Sequence, residues 1–209
     1  MKIDFISDIN KDNYYILDYD RIDLYMIKIA WWNAAFFALY AFGIYYFAPA
    51  ALYPSPFSWR VVNLTETLWT VAIALFAAFL PAVLRGRFKN HYLYRFITAN
   101  ALITFSYLLV FISGGSIEWH FHFFVIFALL TLYADWRLNW WGIVAVALHH
   151  QILNNIAPNW VYFYGENDLA FLAHALLVLF MAIVTTKTCE QNRQLADASR
   201  LIGDDFKKI

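Results

Sequence analysis

Five of the six histidines in this chain, His120, His122, His149, His150 and His174, fall in strongly apolar sequence. A titratable side chain is costly inside a bilayer and marks a functional site there by default. Imidazole nitrogen binds copper, zinc, iron and nickel, so five such residues point first to a metal centre. Glu118 stands one turn before His122, Asn154 one turn after His150, and Glu66 at the start of another apolar run. Each could accept an imidazole N–H or bind the ion directly. No methionine or cysteine belongs with them, which excludes a sulfur cage for copper(I). A donor set rich in imidazole and poor in carboxylate favours copper, with zinc and iron as further candidates.

Whether these side chains meet depends on the helices that carry them. The sequence has six apolar runs, about 27–48, 66–84, 94–112, 117–133, 140–156 and 168–187. A hydrocarbon core of about 30 Å needs roughly 17 to 25 such residues per crossing. The expected fold is therefore an all-α membrane protein, a six-transmembrane-helix bundle. At about 1.5 Å per residue, His120 and His122 lie roughly 5 to 8 Å below the start of helix four. The same count puts His149 and His150 about 9 to 10 Å, and His174 about 9 Å, below that face. Neighbours on a helix are about 100° apart, so one ion cannot easily take all five. Two arrangements follow: a dinuclear centre, or one metal with the other histidines as outer donors. A lone membrane histidine more often makes an interhelical hydrogen bond, so the inference rests on convergence. His91, in a basic loop, reads as a solvated residue.

Lysine and arginine concentrate before helix one, in the second and fourth loops and after helix six, while the other loops hold only Arg60. The positive-inside rule then puts the N- and C-termini in the cytoplasm. Pro81 should kink helix two or mark a packing irregularity, and Gly114-Gly115 should make a tight outer turn that leaves helices three and four antiparallel. Residues 1–26 read as a cytoplasmic leader with a juxtamembrane helix, unlike a signal peptide. Residues 27–187 read as the six-helix domain, and 188–209 as a polar helical extension in which Leu195, Ile202 and Ile209 recur every seven residues. Fifteen basic and fifteen acidic residues leave no charge excess for nucleic acid, so the expected partner is the lipid bilayer. Cys189 has no second cysteine to pair with.

Three segments carry a family likeness: Gly115-Ser116-Ile117-Glu118-Trp119-His120-Phe121-His122, then Asp135-Trp136-Arg137, then His149-His150-Gln151-Ile152-Leu153-Asn154, followed by His174-Ala175. In that order, and with Asp20-Arg21-Ile22-Asp23 before helix one, they resemble the polytopic sensor region of certain bacterial methyl-accepting chemotaxis proteins and diguanylate cyclases. The resemblance implies a sensory input domain in the bacterial inner membrane, a homodimer, and a cytoplasmic output domain not legible in this sequence. It implies Glu118, His120, His149, His150 and His174 as the site, with His122 less constant. Helix six would then continue as a signalling helix. A membrane metal-dependent oxidoreductase and a haem b electron carrier are the competing readings.

Overall fold

The computed structural model describes residues 17–48, 58, 60–88, 91–163 and 168–206, and among these the chain is all-helical. Six α-helices follow one another: α1 (Tyr19–Phe47), α2 (Leu64–Phe88), α3 (Tyr92–Ile112), α4 (Ile117–Leu130), α5 (Trp136–Ile156) and α6 (Asp168–Phe206). Most of the expected leader and Ile209 of the heptad lie outside the described residues. Leu195, at the first heptad position, is exposed.

Among the described residues, four helices are long and apolar enough to cross a membrane: α1, α2, α3 and the Leu172–Leu201 part of α6. The Ile117–Tyr133 segment is apolar but shorter. It is short because Ala134 adopts a left-handed conformation (φ 50°) after a 3₁₀ turn, and Asp135 then caps α5. The Asp135 carboxylate accepts from Arg137 N at 3.2 Å and from Arg137 Nε and Nη2 at 2.8 Å. Burial pushes that carboxyl up, and the bonds from Arg137 more than offset it, holding the group below its ordinary range. Helix α5 is diluted by Arg137, Asn139, His149, His150, Gln151, Asn154 and Asn155, so its composition alone does not mark a crossing.

Helix α3 is the centre of the bundle and packs on α1, α2, α4 and α5. On α1 and α2 several of the buried residues are small and at helical spacing. Ala30, Ala34 and Ala41 are buried on α1, and Thr67, Thr70, Ala74, Ala77 and Ala78 on α2. Small side chains let helices approach closely where lipid offers no hydrophobic drive to associate. Pro81 lies inside α2, and its own carbonyl accepts from the buried Tyr94 hydroxyl at 3.1 Å.

Two ends of the bundle differ. At the near end, where α1 begins, the buried Asp23 accepts from Tyr133 Oη at 2.9 Å, Arg85 pairs with Asp20 at 2.5 Å, and Arg95 lies over the Tyr19 ring. Helix α6 is fastened here: Asn192 Nδ2 donates to Thr131 O at 3.2 Å, and Trp140 Nε1 to Thr186 Oγ1 at 2.9 Å. Ala182, Thr185, Cys189 and Ala196 form its buried stripe. Towards the far end, α6 exposes Leu172, Leu176, Leu177, Leu179 and Phe180.

Gly142 lets α5 reach the core. A Cβ there would stand 2.7 Å from both Ile103 Cδ1 and Phe127 Cε1. Gly142→Leu should therefore destabilise the folded chain by about 1 to 3 kcal/mol, the range for overpacking a filled core. Thermal or denaturant unfolding in detergent micelles measures this, and an unchanged midpoint would mean that α5 can shift freely.

Candidate metal centre

The far end of the bundle is closed by the Gly114-Gly115 turn. Both glycines are left-handed, φ 71° and 77°. A Cβ on Gly115 would sit 2.5 to 2.6 Å from the Tyr162 backbone, so only glycine admits the loop that follows α5. That loop makes a 3₁₀ turn at Pro158–Trp160, and Phe163 N then donates to Gly115 O at 3.3 Å. The result is that the Tyr162 ring, 1 % exposed, is laid down among imidazoles.

Three histidines meet there. His120 of α4 lies 5.4 Å from His150 of α5 and 5.2 Å from His174 of α6, ring centroid to centroid, and His150 and His174 are 6.4 Å apart. Tyr162 stacks parallel to His120 at 6.1 Å and lies 5.9 Å from His150 and 5.5 Å from His174. The same device orients two of the rings. His120 Nδ1 faces Ser116 O at 2.9 Å, and His150 Nδ1 faces Val146 O at 2.9 Å, each one turn back on its own helix. A carbonyl only accepts, so in both rings Nδ1 carries the proton and Nε2 presents a lone pair. His120 Nε2 is buried without a protein partner. Anchoring Nδ1–H on a carbonyl while freeing Nε2 is how proteins hold imidazole for a metal.

As the side chains stand, no group of three or more histidine, cysteine or carboxylate side chains among the described residues is close enough to hold an ion. One pair of the trio is wider than the other two. Metal–nitrogen bonds of about 2 Å at tetrahedral angles put ring centroids roughly 5 Å apart. His120 meets that spacing with both partners, whereas His150 and His174 are about 1 Å too far apart.

The other candidates separate from this trio. His122 points to the opposite side of α4. Asn33 Nδ2 donates to Ile29 O at 2.9 Å, which turns Asn33 Oδ1 towards His122 Nε2 at 2.8 Å. His122 therefore donates from Nε2 and accepts at Nδ1 from Ser106 Oγ at 2.8 Å, tying α4 to α1 and α3. With both nitrogens engaged, it is an interhelical fastener. The His149 ring lies 4.3 Å from that of Tyr107 of α3, tilted by 31°, and 5.4 Å from His150, flanking the trio. Its Nδ1 is buried without a protein partner, as is Asn154 Oδ1. Glu118 takes the Ser116 hydroxyl and stays exposed. Glu66 is bound up in the start of α2. It pairs with Arg60, and Asn63 Oδ1 accepts from Glu66 N at 2.8 Å while Glu66 Oε2 accepts from Asn63 N at 3.2 Å, a capping box.

Beside the trio lies a cavity of about 340 Å³ between α4, α5 and α6. Apart from His120, His150 and His174 its walls are apolar, including Phe121, Phe123, Ile143, Val146, Ala175 and Val178. Sequence reasoning misses Tyr162, because a single tyrosine in an aromatic-rich loop carries no spacing signal. The Gly115 turn opposite it was the one available clue.

His122→Leu should lower the unfolding midpoint, because it strands Ser106 Oγ and Asn33 Oδ1 at a cost of about 1 to 3 kcal/mol. Thermal unfolding in detergent reads the loss, and an unchanged midpoint would contradict the fastener role.

No family model and no solved structure matches the chain. Transducer protein Htr8 of Halobacterium salinarum is 39% identical over 66 residues, which cover 32% of this chain and 10% of that protein. The chain thus bears a loose, partial resemblance to a chemotaxis-type transducer.

Proposed function

We propose that the chain is a membrane-embedded sensory input domain whose histidine centre is read out through α6. The observation that carries this is the trio itself: two buried rings of fixed tautomer on α4 and α5, and a half-buried third on the helix that leaves the bundle. The partial likeness to a transducer agrees with it. In this reading all six helices cross the cytoplasmic membrane, with both termini inside, as the alternation of basic loops requires. The chain works as a homodimer, and α6 passes its state to a cytoplasmic output domain.

His120, His150 and His174 hold the metal, with His149 and Asn154 beside them. Three imidazoles without thiolate suit copper best, then zinc or iron. When bound, the ion supplies a positive charge that draws three lone pairs to one point. For a tetrahedral ion such as zinc this would mean closing the His150–His174 gap, with α6 leaning towards α5 by about 1 Å at His174. The cross-helix side-chain hydrogen bonds of α6 among the described residues lie near Thr186 and Asn192, so the lean would be a tilt about that end. From His174 to Phe206 the helix runs 32 residues, roughly 48 Å at 1.5 Å per residue, so the tilt travels as a rigid displacement. A haem held by His150 and His174 fits poorly, since His120, 5.4 and 5.2 Å from them, stands where the macrocycle would lie.

The metal content of the chain, purified without a polyhistidine tag, tests the reading. The wild type and His122→Leu should take up about one copper ion per chain, and His150→Ala and His174→Ala should lose it at least tenfold. A folded wild type that takes up no metal on titration would overturn the proposal.

A further inference from the structure

We propose that the cavity beside the histidine trio binds a neutral, membrane-partitioned lipophile bearing one hydroxyl donor, of the phenol or quinol class. The inference rests on the trio being a binding site and needs no metal in it.

Three observations converge. The volume of about 340 Å³ falls in the range of small-molecule pockets, about 300 to 1,000 Å³. Its walls are hydrocarbon and aromatic apart from the three imidazoles, so an occupant must be apolar along its length and polar at one end. The polarity of that end is set by the tautomers. His120 and His150 spend their N–H groups on Ser116 O and Val146 O, and the nitrogens left over accept. A buried acceptor without a partner costs free energy, and His120 Nε2 is one. An O–H group satisfies it, whereas a quinone carbonyl or an ether, which can only accept, leaves two lone pairs opposed. The route in is lateral. Ile117 and Phe121 of α4 and Leu177 and Leu179 of α6 line the cavity and are 43 to 57 % exposed on the bundle's outer surface, where a molecule dissolved in lipid arrives.

The proposal is tested on the full chain in lipid nanodiscs by fluorine NMR, with a trifluoromethyl-naphthol and its methyl ether as probes. Saturable binding of the naphthol about tenfold or more tighter than the ether is expected, the factor that one buried hydrogen bond supplies. His120→Leu should bring the two probes near parity, and Ala175→Phe, which fills the cavity, should remove saturable binding of both with the unfolding midpoint retained. Equal, non-saturating uptake of both probes by wild type and Ala175→Phe would reduce the effect to lipid partitioning and overturn the proposal. So would a preference that survives His120→Leu. Metal content measured on the same samples separates the two readings. A naphthol preference in metal-free protein upholds this inference whether or not metal is ever taken up. A preference that appears only after metal loading gives the hydroxyl to the ion and overturns the hydrogen-bond assignment.

Discussion

Two hydrogen bonds, from the Nδ1 atoms of His120 and His150 to carbonyls one turn back on their own helices, set the chemistry of the far end of this bundle. They cost the helices nothing, because a carbonyl has a second lone pair to give. They fix each ring's tautomer, leave each Nε2 as an acceptor and remove the option of satisfying those atoms within their own helix. In water such nitrogens would be solvated; in an apolar wall they are acceptors waiting for a cation or a donor. Much of the surrounding architecture serves that arrangement. The left-handed glycine turn lets Tyr162 close the site, and Gly142 lets α5 come near enough to α4 for the rings to meet.

The same geometry makes the site mechanical. Two of its three rings belong to helices packed on α3, the most buried helix of the bundle, and the third belongs to α6, whose cross-helix side-chain hydrogen bonds among the described residues lie towards the opposite end. A packed core resists deformation and behaves as a reference frame, while a helix with few buried contacts can settle in more than one position. In the proposed reading, a change in the distance across the trio would be taken up by α6. A metal and a hydroxyl-bearing lipophile would act on the same element from the same place, and each could bias it only by as much as it binds one position better than the other.

Much of this was legible in the residues. Apolar runs located the helices, and counting 1.5 Å per residue brought the histidines to a common depth. Depth is only one coordinate, however, and the azimuth decided the outcome. His122 is two residues from His120, about 200° around α4, and its ring found Asn33 and Ser106 instead. Glu66 and Glu118 sat at the right depth too, but a carboxylate near a helix start is drawn to the local amides, hydroxyls and Arg60 before any distant imidazole. The early start of α1 at Tyr19 was hidden because Asp18, Asp20 and Asp23 read as polar leader; Asp18 caps the helix and Asp23 is buried against Tyr133. Tyr162 could not be found without the fold, since nothing but a close backbone approach puts it there.

The most direct measurement of the coupling between site and helix is a distance, taken by pulsed electron resonance between spin labels on the exposed Leu172 of α6 and Leu64 of α2. Zinc serves as the ion because it is diamagnetic and leaves the labels undisturbed. With zinc bound, the distance should differ from that in the chelated protein by on the order of 1 Å, the closure the trio requires, and the difference should vanish in His174→Ala. Superimposable distributions with and without zinc, in protein shown to hold it, would contradict a centre read out through α6.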